Sequence, residues 1–303
     1  MIHQLRPKSK REWQAVIGID NERFTILTDW CNESHFILKE QTYEESLNQS
    51  PKGNLAKLKS VEELIFYTLM VLKLGITFDF AAFLIQFDQY RAQRQFVKGL
   101  HLIHTSLEIH GYLPIRSFNS IEEFEAQFQK SEVLIFDATE QKIQRPQNYE
   151  FQKRTYSGKK KSNTVKSMII STLDRYVHYV SDCYIGKTHD FSLLKTEFCP
   201  DLNWFKGYQI RVDLGYQGFK NDYPNATLSI PNKKPRGGQL SEEQLLENKK
   251  LASQRITVEH SIGGMKRYDI LSTTSRIHDF NLKQDPAYQQ LKAAINPNKN
   301  IKT

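Results

Sequence analysis

Val133-Leu134-Ile135-Phe136-Asp137 is an unbroken apolar run closed by a carboxylate. Four consecutive apolar residues bury both faces of a strand, which places that strand inside a sheet rather than at a solvated edge. The texture of the chain changes around it. Before Pro114 the apolar residues recur at helical spacing; after it, stretches rich in β-branched and aromatic residues alternate with turn signals. Helices followed by a strand-rich region with interspersed helices define a mixed α/β fold.

Downstream, residues 149–156, 165–172 and 176–184 read as strands, and 157–162 (Ser-Gly-Lys-Lys-Lys-Ser) as a hairpin turn loaded with positive charge. Residues 189–197 read as a helix, and 209–212 and 226–230 as short strands. Residues 231–238 form a basic loop, carrying Lys233, Lys234 and Arg236, that is too rich in Pro and Gly to be regular. Ser241 with Gln244 then caps a long helix running to about Arg267.

Upstream, residues to about Gly53 give mixed signals and end in a hinge-like Ser50-Pro51-Lys52-Gly53. Ser60 and Glu63 form a capping box before a helix that Gly75 stops; a short helix fits residues 78–87. Asp88 caps a third helix with Arg91, Arg94 and Lys98 on a polar side and Phe96, Leu100 and Ile103 on an apolar one. Three short helices with a basic third fit a helix-turn-helix, and equally a plain helical bundle with a solvated basic face.

The 303 residues carry 42 Lys and Arg against 34 Asp and Glu, a formal charge of +8 with a pI near 9.2. That sign favours a polyanionic partner without identifying one. A hydrophobic share of 39% supports a real core, and a mean hydropathy of -0.57 an extensively polar surface. Cys31, Cys183 and Cys199 form no CxxC, which suits a reducing compartment. The N-terminus lacks the apolar core of a signal peptide, and the most apolar region, 64–85, is broken by Lys73 and Asp79. A protein of the cytoplasm or the bacterial nucleoid, without a membrane partner, is expected.

Asp213 closes a second apolar run, Ile210-Arg211-Val212, and Glu259 lies within the long helix. Hard divalent ions prefer oxygen ligands, so carboxylates from two strand ends and a helix can converge on a pair of Mg²⁺ ions, with Mn²⁺ as substitute. On the helical wheel, Leu251, Val258, Ile262 and Met265 form an apolar stripe, and Glu259 lies at its rim beside Arg255, Gly263 and Lys266. Gly263-Gly264 inside a helix costs stability and suggests close approach of another backbone. Taken singly each residue has a bland reading: a strand-end Asp is usually a turn former, and a helical Glu beside Arg usually half of a surface ion pair.

The residues around these carboxylates resemble the DDE transposases of bacterial insertion sequences, in the group related to Harbinger elements. Asp137-Ala138-Thr139-Glu140 with Ile143-Gln144-Arg145-Pro146 is similar to the family's first motif. Asp213-Leu214-Gly215-Tyr216-Gln217-Gly218 is similar to its second, and residues 258–267 (Val-Glu-His-Ser-Ile-Gly-Gly-Met-Lys-Arg) to its last. Residues 156–161 with Thr164-Val165-Lys166, then 188–191 and 232–237, resemble intervening motifs in the family's order.

The resemblance implies an RNase H-like catalytic domain preceded by a small all-α helix-turn-helix domain. It implies Mg²⁺-dependent hydrolysis at transposon ends, followed by attack of the freed 3′ hydroxyl on target DNA. Asp137, Asp213 and Glu259 become the catalytic metal ligands. Lys159, Lys160, Lys161, Lys233, Lys234, Arg236, Arg255, Lys266, Arg267, Arg91 and Arg94 become candidate DNA contacts, and Tyr216 and His260 candidate site-lining residues. The expected division is an N-terminal segment (1–54), a helical domain (55–115), a catalytic domain (125–280) and a polar tail (281–303). Partners are double-stranded DNA, as terminal inverted repeats and target, and a second copy of the chain. From Lys283 onward the chain is polar, with Pro286 and Pro297, where the family continues into a strand and an apolar helix; it reads as altered or cut short. A DNA-binding relic without catalysis and a non-transposing nuclease are the alternatives.

Overall fold

The computed structural model describes residues 5–49 and 57–275 of the chain. Contacts divide these into two units: the described residues up to Leu113 with Met265–Thr274, and Pro114–Gly264 with Ser275. The hinge-like segment at 50–53 and the polar tail at 281–303 lie outside the described residues.

In the first unit the mixed signals of the N-terminal segment resolve into helices α1 (Lys10–Val16), α2 (Asn21–Lys39) and α3 (Tyr43–Asn48). Each starts where a short polar side chain (Ser9, Asp20, Thr42) accepts a backbone N–H of the first turn. Trp13, Phe24 and Phe66 form an aromatic cluster with ring centroids 5.1–6.0 Å apart. Phe66 comes from α4 (Val61–Leu74), which Ser60 caps and Gly75 ends in the left-handed region. The Glu63 carboxylate takes the Lys59 amide at 2.5 Å.

Next come α5 (Phe78–Ile85) and α6 (Gln89–Ile109), the latter capped by Asp88 and running well past Lys98. Phe96, Leu100 and Ile103 are buried while Arg91, Arg94 and Lys98 stay exposed, as the wheel demands. A Cβ on Gly99 would collide with Thr68 Oγ1, so α6 meets α4 at bare backbone there.

The second unit is built on β1 (Val133–Lys142), which pairs antiparallel with β3 (Ser162–Ser171) and parallel with β6 (Gln209–Arg211). β7 (Thr227–Ser229) continues the sheet parallel to β6. The outer edge of β3 is covered piecewise by β2 (Tyr156–Ser157), β5 (Tyr184–Ile185) and β4 (Val177–Val180). The stretch 176–184, expected as one strand, is therefore two, interrupted at Ser181-Asp182-Cys183. There the Ser181 hydroxyl takes the Met168 amide at 2.8 Å in place of a ladder bond.

One sheet face carries Leu134, Phe136, Met168, Ile170, Ile210 and Val212 into a core shared with α7 (Ile121–Phe128) and α9 (Asp190–Glu197). Full burial of a side chain such as Phe136 stabilises by about 1.5–3 kcal/mol. On the other face Ile135 and Ile169 are also buried, which is why the run at 133–136 is apolar at every position.

Of residues 149–156, expected as a strand, Tyr149–Thr155 are instead helix α8 and Tyr156 opens β2. The Asn148 side chain accepts the Phe151 amide, and Thr155 Oγ1 bonds back to Phe151 O. These local bonds outweigh the strand preference of the aromatic and β-branched residues. After α10 (Phe219–Asp222), Ser241 and Gln244 make a reciprocal capping box that opens α11 (Glu242–Met265). A short α12 (Asp269–Ser272) belongs to the first unit, where the Asp269 backbone lies against Gly75.

Candidate active site

Asp137 does not end its strand. β1 continues through it to Lys142 because β3 pairs with it the whole way, Asp137 opposite Ile169. What ends near Asp137 is the parallel partner. The last β1–β6 pair is Ile135 with Arg211. Asp137 follows that pair by two residues on β1, and Asp213 follows it by two residues beyond the end of β6, so both leave the parallel pairing at the same end. Side chains alternate across a strand, so both carboxylates share the face opposite Phe136 and Val212. Both are half-buried.

Each carboxylate is oriented by a backbone amide: Asp137 Oδ1 accepts from Ala138 N, and Asp213 Oδ1 from Gly215 N, both at 2.7 Å. Asp213 thereby caps the single tight turn at Leu214–Tyr216. Gly215 leaves the two nearby carboxylates undisturbed. A Cβ there would stand 2.9 Å from both Asp213 Oδ1 and Asp190 Oδ2.

Asp190 is a neighbour that the sequence reading did not single out. It opens α9, and its other oxygen, Oδ1, lies 2.7 Å from Lys166 Nζ. Lys166 also donates to Thr188 O at 2.8 Å and stands 3.7 Å from Glu140, whose Oε2 accepts from Thr164. Arg211 is a second such residue. It shares the face of Asp137 and Asp213, and its buried Nε has no hydrogen-bond partner among the described residues. Burial holds its guanidinium pKa below the ordinary value.

Glu259 is exposed on α11. That helix is held at Ser261, which is buried and donates to Arg175 O at 3.0 Å in the β3–β4 turn. Glu259 lies about 200° round the helix from Ser261. Among the described residues, no three His, Cys, Asp or Glu side chains are gathered closely enough to hold an ion. The half-buried Asp137 and Asp213 carboxylates are the kind of oxygen donor a hard divalent cation takes. Among the described residues no atom beyond the helix's own nearby backbone lies within 4 Å of where a Gly263 Cβ would stand, so they do not make the close approach expected at that glycine.

Tyr216, expected to line the site, is wholly buried in the aromatic core instead; the turn points it inward, away from the carboxylates' face. His260 is exposed. Lys159, Lys160 and Lys161 are exposed on the turn joining β2 to β3. Lys233, Lys234 and Arg236 are exposed in a loop whose start is clamped to α11, Asn232 N donating to Asn248 Oδ1 at 2.7 Å. In the first unit Arg91 pairs with Asp88 at 3.2 Å and Arg94 lies over Tyr90 at 5.7 Å. Lys266 is half-buried and Arg267 exposed. The side chain of Arg255 lies outside the described residues.

This chain belongs to the DDE superfamily endonucleases, whose family model matches residues 136–289. The mixed sheet, preceded by a helical region, is the RNase H-like domain of that family. The chain is also 31% identical over 150 residues to a probable transposase for insertion sequence element IS702 from Microchaete diplosiphon. The match takes in 48% of this chain and 50% of the relative, so the chain spans about half the length of the curated relative it matches. No solved structure matches. Among the described residues no helix is long and apolar enough to cross a membrane.

Proposed function

We propose that the chain is a DNA transposase that hydrolyses phosphodiester bonds at the ends of an insertion sequence and joins the freed 3′ hydroxyl to target DNA. What supports this reading is the DDE-family match over a mixed sheet in which Asp137 lies two residues past the last β1–β6 pair and Asp213 two residues past the end of β6. These two residues, with Glu259 from α11, would hold two Mg²⁺ ions, which Mn²⁺ could replace. Bound there, the ions supply Lewis-acid polarisation of the scissile phosphate and charge for the leaving oxygen.

The chain's own residues do the rest. The Ala138 and Gly215 amides hold the two carboxylates in orientation. Lys159, Lys160, Lys161, Lys233, Lys234, Arg236, Arg255, Lys266 and Arg267 neutralise backbone phosphates. In the first unit, α4, α5 and α6 act as a helix-turn-helix that presents Arg91 and Arg94 to the terminal repeat. Synapsis of two ends brings in a second copy of the chain.

The test is nicking of duplexes bearing the element's ends, with Mg²⁺ or Mn²⁺. Asp137→Asn, Asp213→Asn and Glu259→Gln should each abolish it while leaving duplex binding intact. Nicking that survives any of the three unaltered would sink the ligand assignment for that residue.

A second reading, a DNA-binding relic, is favoured by one observation: no trio of ligands is gathered among the described residues. Salt-sensitive duplex binding with no nicking under either metal would establish it. Strand-transfer products joined into a plasmid would exclude both the relic and a nuclease that does not transpose.

A further inference from the structure

We propose that a cavity between α8 and the β5–α9 connection is a binding site for a DNA backbone phosphate, an inference that rests on reading the chain as an enzyme acting on DNA. The cavity, of about 290 Å³, is bordered by Lys153 and Arg154 from the last turn of α8 and by Lys187 and Thr188 from the connection. All three cations are exposed, and Glu150 is the one carboxylate on the rim. None of the three is ion-paired among the described residues, so each is available to an anion.

A basic residue in the last turn of a helix has an ordinary explanation, since it opposes the negative end of the dipole. That accounts for Lys153 and Arg154. It does not account for Lys187, which comes from a separate segment more than thirty residues on and faces the same cavity. Cations brought to one cavity from two elements attract an anion more strongly than any one of them alone.

The surroundings favour a polymer over a small anion. α8 runs directly into β2, and the β2–β3 turn adds exposed Lys159, Lys160 and Lys161, so positive charge continues from the cavity along the hairpin. Exposed Tyr149 and Tyr156 stand at the two ends of α8. The cavity also adjoins the acidic pair through short steps. The Thr188 carbonyl takes the Lys166 ammonium, Lys166 holds Asp190, and Asp190 borders Gly215 beside Asp213. A phosphate seated at Lys153, Arg154 and Lys187 would therefore hold a strand on the element that Lys166 and Asp190 link to the Asp213 turn.

The test measures duplex affinity by fluorescence anisotropy without divalent metal, over roughly 50–300 mM KCl, where each lost phosphate contact lowers the log–log slope by about 0.9. The triple variant Lys153→Ala, Arg154→Ala, Lys187→Ala removes one phosphate contact and should lower the slope by about 0.9 and weaken binding at low salt. A control triple at exposed Lys130, Lys206 and Lys220 should leave it unchanged, and circular dichroism melts confirm that both variants fold. An unchanged slope in the first triple overturns the site. So does inorganic phosphate that binds the wild type and not the triple while the duplex slope stays the same, since the cavity would then be a small-anion site. A wild type that binds no duplex overturns this site and the proposed function together. A slope that falls as expected, with no nicking by the wild type under Mg²⁺ or Mn²⁺, sustains the site and sinks the catalytic reading alone.

Discussion

Lys166 Nζ stands 2.7 Å from Asp190 Oδ1 with only 9% of the lysine side chain exposed. The same ammonium is 3.7 Å from Glu140, which lies on β1 three residues after Asp137. One buried cation thus ties the strand carrying Asp137 to the carboxylate that borders the Asp213 turn. Removing it leaves two carboxylates in a poorly solvated place with no opposite charge. Breaking one partner of such a buried pair costs about 3–5 kcal/mol, mostly as uncompensated charge. Lys166→Met should therefore destabilise the chain by about 3 kcal/mol in urea unfolding, and adding Asp190→Asn should recover part of the loss. A loss under about 1 kcal/mol would mean the network behaves as a surface pair.

Gly215 separates stability from activity. Its missing Cβ position is 2.9 Å from one oxygen each of Asp190 and Asp213. Both atoms are ends of side chains that can move, so Gly215→Ala should alter unfolding free energy by no more than about 1 kcal/mol. The movement would displace Asp213 from its bond to the Gly215 amide. A misplacement near 1 Å can cost about 100-fold in rate, and nicking should fall on that scale. Wild-type nicking by a folded Gly215→Ala chain would show that Asp213 need not be held where it is.

The apolar run at 133–136 was legible because burial on both faces shows in the local pattern, whereas Asp137, expected to close the strand, lies within it. The caps at Ser60, Asp88 and Ser241 were legible for the same reason: a short polar side chain satisfies amides three residues on. Residues 149–155 misled because their aromatic and β-branched composition is a weak preference that Asn148 and Thr155 reverse. The extension of β1 to Lys142 was not legible either, since polar Thr139 to Lys142 stay in the strand only because β3 pairs with them. Nor could the sequence announce that Lys166 chooses Asp190 and Glu140. That choice depends on the register of β1 with β3 and on where α9 starts. Tyr216 shows the converse: a residue beside Asp213 in sequence is turned by one tight turn into the core.

His35 gives a pH dependence to the first unit. It is buried on α2, with Nδ1 3.2 Å from Gln41 O and its ring edge-on to Tyr43. Burial first, then the nearby charges of Lys98 and Lys39, hold its pKa below the ordinary 6.5, against an opposing contribution from the Gln41 carbonyl. The unfolded chain therefore binds more protons than the folded one between the lowered value and 6.5. The stabilisation is fully present above 6.5 and is lost as pH falls below it, until the folded-state value is passed. Unfolding free energies measured from about pH 7.5 to 5 should decline toward acid, and His35→Gln should flatten part of that decline. An identical slope in wild type and variant would assign the acid sensitivity to other groups.

The cysteines should differ sharply in reactivity, because the thiolate rather than the thiol attacks and needs access to the reagent. Cys31 is wholly buried, and burial pushes its thiol up to about 12. Cys183 is buried between strands, packed with Ile143 and Val165. Cys199 is exposed just beyond α9. A thiol reagent added to the native chain should label one site, Cys199, with Cys199→Ser abolishing the signal, and should label all three cysteines only after denaturation. Rapid native labelling of Cys31 would mean that α2 opens from α4 and α6 far more often than its buried contacts allow.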